Sequence, residues 1–218
     1  MRAAPVCPRC FTPLQPSRAL PTGWRCAVHG DVFPLQPPHR PTPEALRSLC
    51  ERSDVPVWLP WPLPAEDWMV SGFAEVEDAD GRVRASVVAL SGPSVNYGPG
   101  DMLVVAEETG IGLGAAYAGL PGPDPGPGFG QGTAQLKVDV MGHPTALWFV
   151  DGAADRAVYA GEALGNWLWM IAWPADSGCL IALGRFSLRD LRDNDQEFDL
   201  PFGVLSPRLG EERPDGSE

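Results

Sequence analysis

Residues 68–90 read WMVSGFAEVE-DADG-RVRASVVAL, and this stretch decides the fold class. Two runs rich in Val, Phe and Ala flank Asp78-Ala79-Asp80-Gly81, a composition that supplies a tight chain reversal between paired strands. In the second run Val83, Ala85, Val87 and Ala89 alternate with Arg82, Arg84 and Ser86, the two-residue period of a strand with one wet face. Further short apolar runs follow. Met102 to Ala106, Thr133 to Val140, Ala146 to Val150, Ala157 to Ala160, Asn166 to Trp173 and Cys179 to Phe186 all read as strands. Turn residues such as Met141-Gly142-His143-Pro144 separate them. Closely spaced strands with short turns predict an α+β domain built on a mostly antiparallel β sheet, not βαβ units.

Working outward from that sheet, Ser187 to Arg192 reads as a last helical turn, and the acidic residues 210–218 as a disordered tail. Upstream, residues 36–66 form a proline-rich linker with one short helix. Thr42 is a good N-cap, Pro43 suits the first helical position, and Ala45, Leu46, Leu49 and Cys50 make a narrow apolar stripe. Residues 67–209 are then the α+β domain and residues 1–35 a separate small module.

Hydrophobic residues make up 44% of the 218, enough for a sizeable core. Gly and Pro contribute 25 residues each, which argues against a helical bundle. The net charge of −12 opposes general affinity for nucleic acid or anionic membranes. The charge is uneven: residues 1–40 sum to +4 and the rest to −16. No apolar run approaches the roughly 18–20 residues of a membrane span, and no secretory apolar core follows Met1. A cytoplasmic protein is expected. In that reducing compartment five cysteines point to metal or free thiols before disulfides.

Cys7-Pro8-Arg9-Cys10 is followed after fifteen residues by Cys26-Ala27-Val28-His29-Gly30. Two residues between ligands let one tight turn aim both side chains at a single ion, and two such turns joined by a hairpin complete a tetrahedron. Thiolate and imidazole are donors that Zn²⁺ favours. Cys7, Cys10, Cys26 and His29 are therefore the candidate zinc ligands, and four protein ligands close the site, making the ion structural. A redox CxxC is the other reading, but the motif does not sit between a strand and a helix of a βαβ unit. Gly30 can take the positive φ that follows such a turn, and Trp24 and Phe33 are expected to cover a module too small for its own core.

This pattern resembles the zinc-ribbon superfamily, whose ligands map onto Cys7, Cys10, Cys26 and His29; Phe11 stands where a glycine commonly follows the first turn. The whole chain also resembles an uncharacterised bacterial family. That resemblance rests on the ribbon followed by Pro34-Leu35-Gln36-Pro37, Pro56-Val57-Trp58-Leu59-Pro60-Trp61-Pro62, Gly122-Pro123-Asp124-Pro125-Gly126-Pro127 and Leu205-Ser206-Pro207-Arg208-Leu209. It implies no activity.

Other chemistry-bearing residues read as structural. Cys50 and Cys179 lie on apolar patterns. Asp176-Ser177-Gly178 reads as a hairpin turn, and His143, near Asp139 and Asp151, as a turn decoration. Gly110 to Gly114 could offer backbone N–H groups to an anion, though Glu107 and Glu108 precede it and could instead share a metal. Trp167, Trp169 and Trp173 read as a core strand. Three functions follow: a protein-interaction or adaptor role, the one these residues favour; an enzyme or sensor for a small molecule with residues 110–132 as a lid; and a nucleic-acid factor using Arg9, Arg18 and Arg25.

Overall fold

The computed structural model describes residues 4–193 and 200–210; residues 211–218 of the expected tail lie outside them. The chain opens with three short antiparallel strands, β1 (Gln15–Pro16), β2 (Trp24–Cys26) and β3 (Gly30–Asp31). Helix α1 (Pro43–Arg52) starts where the cap chemistry places it: the Thr42 hydroxyl accepts the Ala45 N–H at 3.1 Å, and Pro43 opens the first turn. Then come β4 (Trp58–Trp61), β5 (Met69–Glu77), β6 (Val83–Pro93), β7 (Pro99–Glu107), α2 (Leu113–Ala118), β8 (Leu136–Val140), β9 (His143–Val150), β10 (Ala157–Ala163), β11 (Asn166–Trp173), α3 (Gly178–Leu183) and β12 (Ser187–Asp190).

Nine of these strands form one sheet in the order β4-β12-β8-β9-β10-β11-β7-β6-β5. Every pairing is antiparallel except β12 with β8. The molecule is thus mostly antiparallel β with a few helices, the expected α+β class. Both faces of its central strands are buried. Val88, Leu90, Met102, Val104, Leu168 and Met170 meet Trp58, Leu59 and Leu188 on one side. There β4, paired at the far edge of the sheet, packs over β6 and β7. Val87, Ala89, Leu103, Val105, Trp169 and Ile171 meet Leu113, Ala115 and Tyr117 of α2 on the other. Gly114 makes that contact possible: a Cβ there would lie 2.3 Å from the Trp169 ring.

An open β5 edge would invite pairing with another chain, and two non-strand segments cover it. The proline-rich connector takes one half: Gln36 N–H donates to Glu75 O at 2.9 Å, and His39 and Phe73 exchange bonds at 2.8 and 3.1 Å. The C-terminal segment takes the other half. Val70 N–H donates to Pro201 O, and Ser206 N–H to Ser71 O at 2.7 Å. Gly72, at φ 138°, leaves room for Leu205 and Leu209, either of which would meet a Cβ at 2.7 Å.

Two elements depart from the sequence reading. Residues 179–183, expected to start a strand, belong to α3. A short apolar run does not separate strand from helix by periodicity, and here Ile181 is buried while Leu183 is 80% exposed, so one helical face packs. Residues 187–190, expected to be a helical turn, form β12. Leu188 and Asp190 face inward and Arg189 outward. The inward acid hides the alternation: Asp190 accepts the Val57 N–H at 3.1 Å and pairs with Arg192 at 2.7 Å.

Candidate metal centre

Cys7 and Cys10 sit on a turn closed by Phe11 N–H to Cys7 O at 2.7 Å and Cys7 N–H to Thr12 O at 2.9 Å. Cys26 ends β2 and His29 precedes β3, which opens on Gly30 at φ 72°. Val28 N–H points at Cys26 Sγ, 3.4 Å away. The two turns bring all four ligand atoms within 4.8 Å of one another. Cys7 Sγ lies 3.5 Å and Cys26 Sγ 3.6 Å from His29 Nδ1, and Cys10 Sγ lies 3.6 Å from Cys26 Sγ. A tetrahedral zinc with Zn–S about 2.3 Å and Zn–N about 2.0–2.1 Å sets S···S near about 3.8 Å and S···N near about 3.5 Å. Three of the six separations are therefore those of one tetrahedral ion, with His29 facing the sulfurs through Nδ1, and the other three lie within 4.8 Å. Cys7, Cys10, Cys26 and His29 could hold a metal.

The thiols are not equivalent. Burial pushes Cys7 up to about 12. Burial also works against ionisation of Cys26, but the backbone N–H groups of His29 and Val28 outweigh it and bring that thiol down to about 6. Cys26 thus offers a thiolate readily, whereas Cys7 would lose its proton to a bound cation. Beneath the ligands Cys7, Leu14, Cys26 and Val32 make a small core with Trp24 against it. Trp24 covers the module as expected. Phe33 does not: its ring packs into the body's core beside α2, because β3 ends at Asp31 and the chain leaves toward the large sheet.

The first turn is also the contact with the body. Arg9, between the two cysteines, donates Nε to Ile111 O at 3.1 Å and a second N–H to Gly110 O. Phe11 takes φ 57°, the left-handed conformation that a glycine commonly supplies, and its ring lies 5.3 Å from the Tyr117 ring of α2. Val6 exchanges backbone bonds at 3.0 and 2.9 Å with Leu35, which in turn bridges to Val76 of β5. A cleft of about 200 Å³ lies at this junction, lined in part by Arg9, Asp31, Phe33, Glu108 and Ile111.

The glycine-rich stretch before α2 is not open to an outside anion. Glu107, fully buried, accepts Leu113 N–H at 2.7 Å and Gly114 N–H at 3.1 Å. Burial pushes its carboxyl up to about 7 despite these bonds. The anion that such N–H groups attract is part of the chain itself. Glu108 pairs with Arg84 at 2.7 Å, so the two glutamates do not share a metal. The sequence carried the signal, an acid six residues before a glycine-rich helix start, but not its direction.

A second polar cluster was missed in the sequence because its members lie far apart. His39 Nε2 meets Glu75 Oε1 at 3.1 Å, Arg52 grips both Glu75 oxygens at 2.8 Å, and Arg52 also bonds Glu77. The bond to Glu75 raises the His39 imidazole above its ordinary value. Burial opposes ionisation of Glu75, but His39 and Arg52 prevail and hold its carboxyl below the usual range.

The remaining candidates do not converge. His143 is exposed at the β8–β9 turn, where Asp139 accepts the Gly142 N–H at 3.0 Å. Cys50 packs on α1, and burial pushes its thiol up to about 12. Ser177 is buried in a 3-10 turn that leads into α3, not in a hairpin.

A model for a family of unknown function, DUF6758, matches residues 1–209. The chain belongs to DUF6758. No curated protein and no solved structure matches it. The match spans both the Cys₃His cluster and the body of this DUF6758 chain, and includes the C-terminal segment that covers β5. No helix among the described residues is long and apolar enough to cross a membrane.

Proposed function

We propose that Cys7, Cys10, Cys26 and His29 hold one structural Zn²⁺, that residues 1–35 are a zinc ribbon, and that the protein is a cytoplasmic interaction or adaptor protein. Residues 36–66 then connect the ribbon to the body, residues 67–209, and lend β4 to its sheet. The observation that carries the reading is the convergence of three sulfurs and one imidazole nitrogen within 4.8 Å, three of the pairs at tetrahedral separations. Four protein donors leave no position for substrate, so the ion stabilises the fold and does not catalyse. Thiolate ligation also suits a reducing compartment.

The ribbon's two sides differ. Arg9, Phe11 and Val6 are spent on the body, which removes Arg9 from any nucleic-acid surface. Arg18, Arg25 and Val28 are exposed, Val28 at 73%. Val28 lies exposed between two of the candidate ligands, so a partner docking on this side of the ribbon would cover it. A photo-crosslinking residue at position 28, used in the native host, tests this against the same probe at exposed position 183. A discrete partner captured at 28 alone, and lost in Cys10→Ser, supports the reading. Equal capture at both positions, or none, contradicts it.

A further inference from the structure

Between α2 and β8 the chain runs from Gly119 to Gln135 without regular structure, and one side chain anchors it. The Phe129 ring meets Trp148 edge-on at 5.3 Å and Trp167 at 5.1 Å. Trp148 stands on β9 and Trp167 on β11. On the strand between them, β10, Ala160 is in register with Trp148 and Trp169, while Glu162 is in register with Trp167. Directly paired residues share a face, so Trp148, Ala160 and Trp169 form one row and Glu162 and Trp167 the next, and Phe129 sits on the diagonal slot between Trp148 and Trp167.

The backbone on either side of Phe129 is open. Gly126, Gly128, Gly130 and Gly132 flank Phe129, and a Cβ at any of them would touch nothing within 4 Å. The indole N–H of Trp167 is buried and meets no acceptor among the described residues. That of Trp148 reaches Gly132 O only at 3.5 Å. Buried indole N–H groups normally find a partner, so the slot has one unused donor, on Trp167, as well as apolar walls. Aromatic-lined grooves are how proline-flanked extended peptides are recognised, and the segment now in the slot, PGPDPGPGFGQG over residues 121–132, is itself of that kind.

We propose that the Trp148–Trp167 slot docks an extended, proline-flanked segment of a partner protein that carries one aromatic side chain and a basic residue, with Phe129 as a displaceable occupant in cis. The basic residue follows from charge. Glu162 is exposed beside Trp167, and residues 41–218 sum to −16, a charge that favours a cationic partner residue. This rests on the interaction reading and names its second surface.

The test uses full-length, metal-loaded protein and indole ¹H–¹⁵N spectra, with Trp167→Phe assigning the resonance. The probes are a peptide of residues 119–132 and the same peptide with Asp124→Arg. In Phe129→Ala, both peptides shift the Trp167 resonance. The Arg peptide binds about two- to fivefold tighter, the scale of one exposed charge pair. Wild type binds about tenfold or more weakly, because its slot is mostly filled. If Phe129→Ala fails to fold, Phe129→Leu, too short to reach both rings, takes its place. No Trp167 shift at millimolar peptide, with metal content and the other indole resonances unchanged, overturns this proposal and leaves the ribbon's contact standing. A Trp167 shift that tracks protein concentration without peptide also overturns it, assigning the slot to a second copy.

Discussion

Phe11 joins the metal turn to the body at a conformational cost, and two substitutions separate the cost from the benefit. Its φ of 57° penalises any residue with a Cβ by roughly 1–2 kcal/mol. Its half-buried ring contributes about 1 kcal/mol of burial and roughly 0.5–1.5 kcal/mol from the contact with Tyr117. Phe11→Ala loses the ring and keeps the strain, so it costs roughly 2 kcal/mol by these two contributions. Phe11→Gly loses the ring but relieves the strain, less about 0.4–1 kcal/mol for glycine's greater freedom when unfolded. The glycine variant is therefore more stable than the alanine variant by roughly 0.5–1 kcal/mol. For a chain of this size each kcal/mol moves Tm by about 2–4 °C. Thermal unfolding of metal-loaded protein should show alanine about 4–8 °C below wild type, with glycine about 1–4 °C above alanine. A glycine variant equal to or below alanine refutes the left-handed turn. No change in either refutes the Phe11–Tyr117 bridge.

Three further outcomes follow from the same reasoning. Glu107 has its carboxyl pushed up to about 7 by burial from an ordinary 4.5, so the folded chain keeps a proton that the unfolded chain releases. Stability falls as pH rises through that window, Glu107→Gln reduces the slope there, and an unchanged urea-unfolding profile contradicts the assignment. His39 has a raised pKa through its bond to Glu75, so its stabilisation is fully present below about 6.5 and is lost as pH rises through the folded value. The Tm gap between wild type and His39→Ala should shrink from pH 5.5 to pH 8.5 by this titration, and a constant gap would show that the imidazole acts by packing alone. Gly114→Ala forces a Cβ onto the Trp169 ring and should cost roughly 1–3 kcal/mol. A neutral result in thermal unfolding would mean that α2 does not lie on that ring.

The sheet was legible where side chains alternate plainly. The Asp78–Gly81 reversal, the runs around it and the Met141-Gly142 turn all appear as read, because local composition and burial agree there. Reading failed where a buried polar group broke the alternation, as Asp190 does in β12, and where a short apolar run fitted both periods, as in α3. Thr42-Pro43 carried enough local chemistry to mark α1. The four ligands were legible because metal spacing is a local property of two turns. Their environment was not. That Arg9 and Phe11 reach α2, that Glu107 caps it, and that His39, Arg52 and Glu75 meet, depends on contacts between residues 23 to 106 positions apart in the chain or on direction, and neither is written locally. Two motif segments that carry the family resemblance, Pro34–Pro37 and Leu205–Leu209, gain a physical reason only from the fold: they line the β5 edge.

X-ray absorption at the zinc edge on the purified, reduced protein tests the central claim most directly. One zinc per chain with three sulfurs at about 2.3 Å and one nitrogen at about 2.0 Å is the predicted result. A chain that retains no zinc, or a shell without sulfur, contradicts it.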